Sequence, residues 1–216
     1  MGIWSSICSG VSSVCSVISS AVSAVGSKVA DVATSIANLG LEMANKVGEA
    51  IHKVGVALGI LQPEDKLQEL GEKAMLSEKK PEDFDTISDY IDHLKNDVPI
   101  DKEKLASLDE KELLARSLIG AAITLKGINE KLDTIVTPEF MSIVTKQELE
   151  TKAIIATIEA YKENKFNTSD YALYVNDGLS VDESDKHCSV LVSTYQKLEP
   201  ELSIDQIEDK VMGLKI

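Results

Sequence analysis

Residues 3–58 carry an apolar side chain at every third or fourth position without losing register. Ile3, Ile7, Val11, Val14, Ile18, Val22, Val25 and Val29 open the series in steps of 4, 4, 3, 4, 4, 3 and 4, and Val32, Ile36, Leu39, Met43, Val47, Ile51, Val54 and Leu58 continue it. A second series, Ser5, Ser9, Ser12, Ser16, Ser20, Ser23 and Ser27, runs two residues out of phase with the first. Two residues turn a helix by about 200°, so the valines and the serines occupy nearly opposite faces. Both series repeat every eleven residues, as Ile3/Val14/Val25 and Ser5/Ser16/Ser27 do. Eleven residues in three turns is about 3.67 per turn, the pitch of a relaxed α-helix and not the ~3.5 of a left-handed supercoil. The spacing predicts one amphipathic helix of nearly 60 residues, or a helical hairpin with a bend near Gly40.

Serine, valine and glycine are middling or poor helix formers, so this helix needs a surface to lie against. The surface is protein or membrane. Residues 1–27 contain no charged side chain, and at ~1.5 Å per residue they are long enough to cross a ~30 Å hydrocarbon core. Hydroxyls in lipid need partners, which rules against an ordinary lone spanning helix. Two arrangements satisfy them: a helix lying flat with its valines down, or several helices with valines toward lipid and serines around water. The small-xxx-small spacings Ser5/Ser9, Ser12/Ser16/Ser20 and Ser19/Ser23/Ser27 favour close helix contact. Ile3, Trp4, Ile7, Val11, Val14, Ile18, Val22, Val25 and Val29 are therefore the expected membrane-facing stripe, with Trp4 suited to the interface. Ser5, Ser9, Ser12, Ser16, Ser20, Ser23 and Ser27 are the expected polar or pore-lining stripe. The opening Met1-Gly2-Ile3-Trp4-Ser5-Ser6 also fits an acylation pattern, with Gly2 as myristoyl acceptor and Cys8 as a second acyl site.

Charge divides the chain in two. Lys28, Lys46 and Lys53 balance Asp31, Glu42 and Glu49 in residues 1–62, so residues 63–216 hold the whole net charge of −14. The expected organisation is a Ser/Ala/Val-rich membrane or assembly region, 1–62, followed by an acidic helical domain, 63–216. The acidity makes nucleic acid a poor partner. Aromatic residues are only 4% of the chain, and no β-alternation accompanies them, which favours an all-α fold. Cys8, Cys15 and Cys188 form no disulfide framework and read as free thiols. No positive n-region marks a secretory signal, so export would use a route that does not read one.

In the acidic body, Pro63 and Pro81 each sit where a helix would begin, with acids in the following turn. Ser107/Glu110, Ser180/Glu183 and Ser203/Gln206 have capping-box spacing, Thr137-Pro138 starts a short helix, and "NDG" at 176–178 is a turn. The run "KELLARSLIGAAITLKGINEKL" reads as a central buried helix, and "QELETKAIIATIEAYKEN" as another. Six to eight helices are expected in a compact body. His187 and Cys188 are adjacent, and helix neighbours point about 100° apart, so they read as a surface histidine beside a packed cysteine. His52 and His93 lack ligand partners at metal spacing. No phosphate loop, nucleophile elbow, zincin or dinucleotide motif occurs. No enzyme activity, cofactor or metal is expected.

The repeat of residues 3–58, with "VSAVGSKVADVATSIANLG" at its centre, resembles the eleven-residue repeats of synuclein and perilipin lipid-binding helices, but lacks their lysine rows. "GIWSSICSGV" is similar to short membrane-active helical peptides. The layout as a whole resembles small bacterial pore-forming effectors delivered by contractile secretion machines. That resemblance implies a toxin made soluble in the cytoplasm and later membrane-associated, with lipid, copies of itself and an immunity or chaperone protein as partners. Protonation of the acidic body would ease its approach to anionic lipid, so onset of activity should depend on pH. The rival expectation is a structural or interaction protein, such as a virion component, secretion cargo or self-assembling subunit, that uses the same stripe to grip protein.

Overall fold

Two glycines interrupt the N-terminal periodicity. The computed structural model describes residues 3–215, with side chains from residue 10 onward. The first helices are α1 (Ile3–Val25), α2 (Ser27–Ala37) and α3 (Leu41–Ala57). Gly26 and Gly40, at their joints, have φ of +81° and +93°, a conformation that a Cβ makes unfavourable. The expected bend near Gly40 is present. The break at Gly26 is additional, so the stripe is distributed over three helices instead of one or two. Cys15 Sγ lies 3.9 Å from Asn38 Oδ1, which brings the middle of α1 to the end of α2. The two helices therefore form an antiparallel hairpin with Gly26 at its tip.

Among the described residues there are twelve α-helices and no strand, the expected all-α class. Two compact units comprise Met1–Lys131 and Leu132–Ile216. The compositional break at residue 62 does not coincide with this boundary. Residues 63–131 complete the unit that α1–α3 begin, with α4 (Leu67–Leu76), α5 (Ile87–Asp97), α6 (Lys102–Ala106) and α7 (Glu110–Leu132). The apolar face of the N-terminal helices is too large to be covered within 62 residues, and these later helices cover it.

The predicted central helix, α7, is buried along Leu114–Ile128 except at Arg116, Ser117 and Lys126. It crosses α4 in backbone contact. A Cβ on Gly71 would stand 1.9 Å from the Arg116 carbonyl oxygen, and one on Gly120 would stand 2.1 Å from that of Leu67. Arg116, the only arginine in the chain, pairs beside this crossing with the buried Glu72. Removing one partner would strand the other charge in low dielectric.

The second unit holds α8 (Pro138–Lys146), α9 (Thr151–Glu163), α10 (Thr168–Val175), α11 (Val181–Leu198) and α12 (Ile204–Met212). Its starts follow the sequence closely. Thr137 caps α8, and Ser180/Glu183 and Ser203/Gln206 form the predicted capping boxes of α11 and α12. Four details in the acidic body differ. Residues 63–216 form nine α-helices, where six to eight were expected. Pro63 stands in a turn four residues before α4. Pro81 opens only a 3-10 turn, Pro81–Asp83, and Thr86 caps the helix that follows. The box ahead of α7 is Asp109/Glu112: the Asp109 carboxylate accepts from the Lys111 and Glu112 N–H groups, while Ser107 donates to the Lys104 carbonyl as the end of α6.

Candidate functional site

The predicted amphipathic split of α1 is present, with protein covering the apolar side. Val14, Ile18 and Val25 have no accessible surface, and Val29 at the start of α2 is 1% exposed. Val11 is half-buried, and Val22 is 37% exposed. Ser12, Ser16, Ser20, Ser23 and Ser27 are all exposed. Gly2 and the side chains of Ile3, Trp4, Ser5, Ile7, Cys8 and Ser9 lie outside the described residues. In this conformation, then, the stripe assigned to lipid belongs to the core of the first unit. α2, α3 and α4 all pack on α1. Each fully buried valine or isoleucine contributes about 1.5–3 kcal/mol. At Gly10 the close approach is to α3: a Cβ there would lie 2.8 Å from Leu41 Cδ1.

The hairpin tip is built from backbone and one foreign carboxylate. The Gly26 N–H donates to the Val22 carbonyl at 3.0 Å, and the Ala30 N–H donates to the Gly26 carbonyl at 3.1 Å. Both are ordinary helical i→i−4 bonds, so the break is confined to the torsions of a single residue. α2 begins without a side-chain cap. Instead the Glu82 carboxylate reaches in from the 3-10 turn, 2.9 Å from where a Gly26 Cβ would stand. A carboxylate at the first turn of a helix is favourably placed against its dipole. Lys126 lies in the same neighbourhood. Burial, with Lys28 as a smaller contribution, holds its amine below the usual lysine range, and Glu82 opposes that shift.

On α2 the buried side chains are Val29, Ala30, Ala33, Ile36 and Ala37. Val32 and Leu39, which belong to the eleven-residue series, are only partly covered. The hairpin is thus packed through an alanine face that departs from the sequence-wide stripe.

The second unit is chemically different. His187 is 4% exposed, not on the surface as its sequence neighbourhood suggests, and it is Cys188 that is partly open. The His187 ring stacks on Phe166 at 4.0 Å and lies parallel to Tyr174 at 6.0 Å. Its Nδ1 shares a 2.9 Å hydrogen bond with the Tyr161 hydroxyl. Burial lowers the His187 pKa, and Asp170 and Glu183 act in the opposite direction. Burial likewise raises the tyrosines around it, Tyr195 to about 12. This box had one weak sequence signal: four of the chain's five tyrosines fall in residues 161–195.

Elsewhere His52 Nε2 bonds the Asp65 carbonyl oxygen at 2.7 Å, and His93 Nδ1 pairs with Asp97 at 2.8 Å. Among the described residues no three metal-ligating side chains converge, and no helix is long and apolar enough to cross a membrane. A surface groove of about 360 Å³ between α9 and α11 is lined by Glu159, Glu163, Ser189 and Lys197 among others. The Ser189 hydroxyl donates to its own helix, at Asp185. Comparison with protein-family models, curated proteins and solved structures finds no match to this chain.

Proposed function

We propose that this is a membrane-active helical protein of the pore-forming kind, held in a closed form in which its N-terminal hairpin is folded away. One observation carries the reading. The hairpin's first helix has no charged residue, its central valine and isoleucine face is buried in protein, and its serine face is open to water. An ordinary surface helix shows charged side chains on its outer face. A serine face gives an outer surface that tolerates water and yet does not bar the helix from lipid. Released, the helix would turn its valines to lipid. Its serines would meet either the headgroup layer or the water of a pore shared with other copies. At ~1.5 Å per residue, the 23 residues of α1 extend about 35 Å, comparable with a ~30 Å hydrocarbon core.

Truncation at residue 62 would remove three helices from a folded unit, so a lock is the cleaner test. Asn38→Cys places a thiol opposite Cys15, whose Sγ is already 3.9 Å from the Asn38 side chain. In a Cys8→Ser, Cys188→Ser background, oxidation should tie α1 to α2. Dye leakage from phosphatidylcholine vesicles is expected from the reduced protein and lost from the oxidised one. Equal leakage from both would show that the hairpin is not the membrane element. No leakage from either, together with a uniform oligomer by light scattering, would favour an assembly role for the serine face.

A further inference from the structure

We propose that α1 and α2 are two halves of one helix, folded back at Gly26 in the closed form and joined end to end in the active form. The inference rests on the membrane reading for its ligand, a lipid surface, and gives that reading a defined open conformation.

Three independent features meet at this joint. The first is the register. The series Val14, Ile18, Val22, Val25, Val29, Val32, Ile36 crosses Gly26 in steps of 4, 4, 3, 4, 3 and 4. A hairpin has no use for continuity across its own turn, because reversal resets which face meets which. The second is the mismatch between pattern and packing. The closed hairpin buries Ala30, Ala33 and Ala37, while Val22 is 37% exposed and Val32 is half-covered. A straight helix would align all the valines on one side. The third is the local geometry. Helical bonds are already formed into and out of Gly26. Rotation of that one residue from φ +81° to the helical value near −63° joins the helices. It also provides carbonyl partners at Ser23, Ala24 and Val25 for the N–H groups of Ser27, Lys28 and Val29.

Opposing this are the burial of the stripe and the Glu82 carboxylate at the start of α2. Glu82 acts as a latch: it neutralises the positive end of α2 only while that end is free, and a continuous helix has no free end there. The open form presents a face of about 35 residues, Ile3–Ala37, to lipid.

The measurement is the distance between spin labels on Cys15 and on Asn38→Cys, in full-length protein with the other two cysteines changed to serine. In the hairpin the labels are neighbours. In a continuous helix, 23 residues at ~1.5 Å separate them by about 35 Å. Phosphatidylcholine vesicles are expected to move the population to the long distance. Without lipid, Gly26→Ala should shift the equilibrium toward the long form by roughly thirty- to a hundred-fold, since alanine is disfavoured at positive φ and favoured in a helix. Glu82→Gln should shift it roughly two- to five-fold the same way. Circular dichroism on each variant separates opening from unfolding, because straightening preserves helix content. A short distance retained on vesicles that nevertheless leak would overturn the joined helix and leave the membrane reading standing. An intermediate distance would overturn it too, as separation without joining. A long distance in Gly26→Ala with no leakage under any condition would uphold the joint and reject the membrane function.

Discussion

α1 and α11 are both long helices, and they are held in opposite ways. α11 is specified from within: a Ser180/Glu183 capping box starts it, acids fill its first turn, and Lys197 lies in its last. Its buried His187 then fits between two aromatic rings and a tyrosine hydroxyl. α1 has neither acids in its first turn nor bases in its last, and its described anchors are aliphatic side chains of one size class. Aliphatic burial is strong but non-directional. It would serve equally well against lipid. Hydrogen bonds and ring stacking at fixed angles have no equivalent substitute in a bilayer. The comparison therefore separates a unit whose contacts are interchangeable from one whose contacts are not.

The sharpest way to break the first unit is a charge on its buried stripe. Ile18→Asp places a carboxylate where there is no accessible surface and removes a core side chain, a loss of about 4–5 kcal/mol. The first unit should unfold at room temperature or close to it, while the tyrosine near-ultraviolet circular dichroism of the second unit persists. If that variant melts like the wild type, Ile18 is not in a core. The same result disqualifies Ile18→Asp and Val14→Asp as tests of membrane contact, because either would lose activity through unfolding alone.

How far the sequence foretold this fold depends on what kind of signal each element carried. Caps and turns were legible because they are local: Thr137, Ser180 and Ser203 each bond a backbone group within three residues. The valine and serine faces of α1 were legible because period alone defines them. The hairpin at Gly26 was not. The pattern runs through it unchanged, and only tertiary packing against α3 and α4 makes reversal preferable to extension. Glu82 was invisible for a related reason, being 56 residues away from the turn it serves. His187 was placed on the surface because its helix neighbours are polar, whereas its setting is made by Tyr161, Phe166 and Tyr174 from outside α11.

The second unit has its own point of failure, which is protonation. His187 is buried with its pKa lowered, chiefly by desolvation. The unfolded chain, with a histidine pKa near ~6.5, then binds the proton more readily than the folded one does. Stability is therefore complete above about pH 6.5 and declines as pH falls below it, toward the lower folded value, by at most about 1.4 kcal/mol per pH unit. Denaturant midpoints followed by tyrosine circular dichroism at pH 7.5 and 5.5 should show this loss. His187→Gln should flatten it even if it lowers the midpoint at both pH values. An unchanged slope in that variant would mean that other groups carry the pH dependence.

The smallest expected effect on stability gives the most information about lipid. Val22 is the stripe position on α1 that the closed form leaves open, at 37% exposure, and Ser16 is exposed on the opposite face. Val22→Asp should cost about 1 kcal/mol and Ser16→Asp under about 0.5 kcal/mol, both short of unfolding. The two variants are thus nearly matched in charge and in closed-state stability, and differ in which face carries the carboxylate. In a membrane that difference is large: an acid in the centre of a lipid-facing helix costs ~2.5–3.5 kcal/mol, whereas one in a water-filled lumen does not. Vesicle leakage should therefore be lost in Val22→Asp and kept in Ser16→Asp, the latter with a shift toward cation selectivity. Loss in both would place the helix in a packed protein seam, where either charge is excluded. Retention in both would remove the valine stripe from contact with lipid altogether.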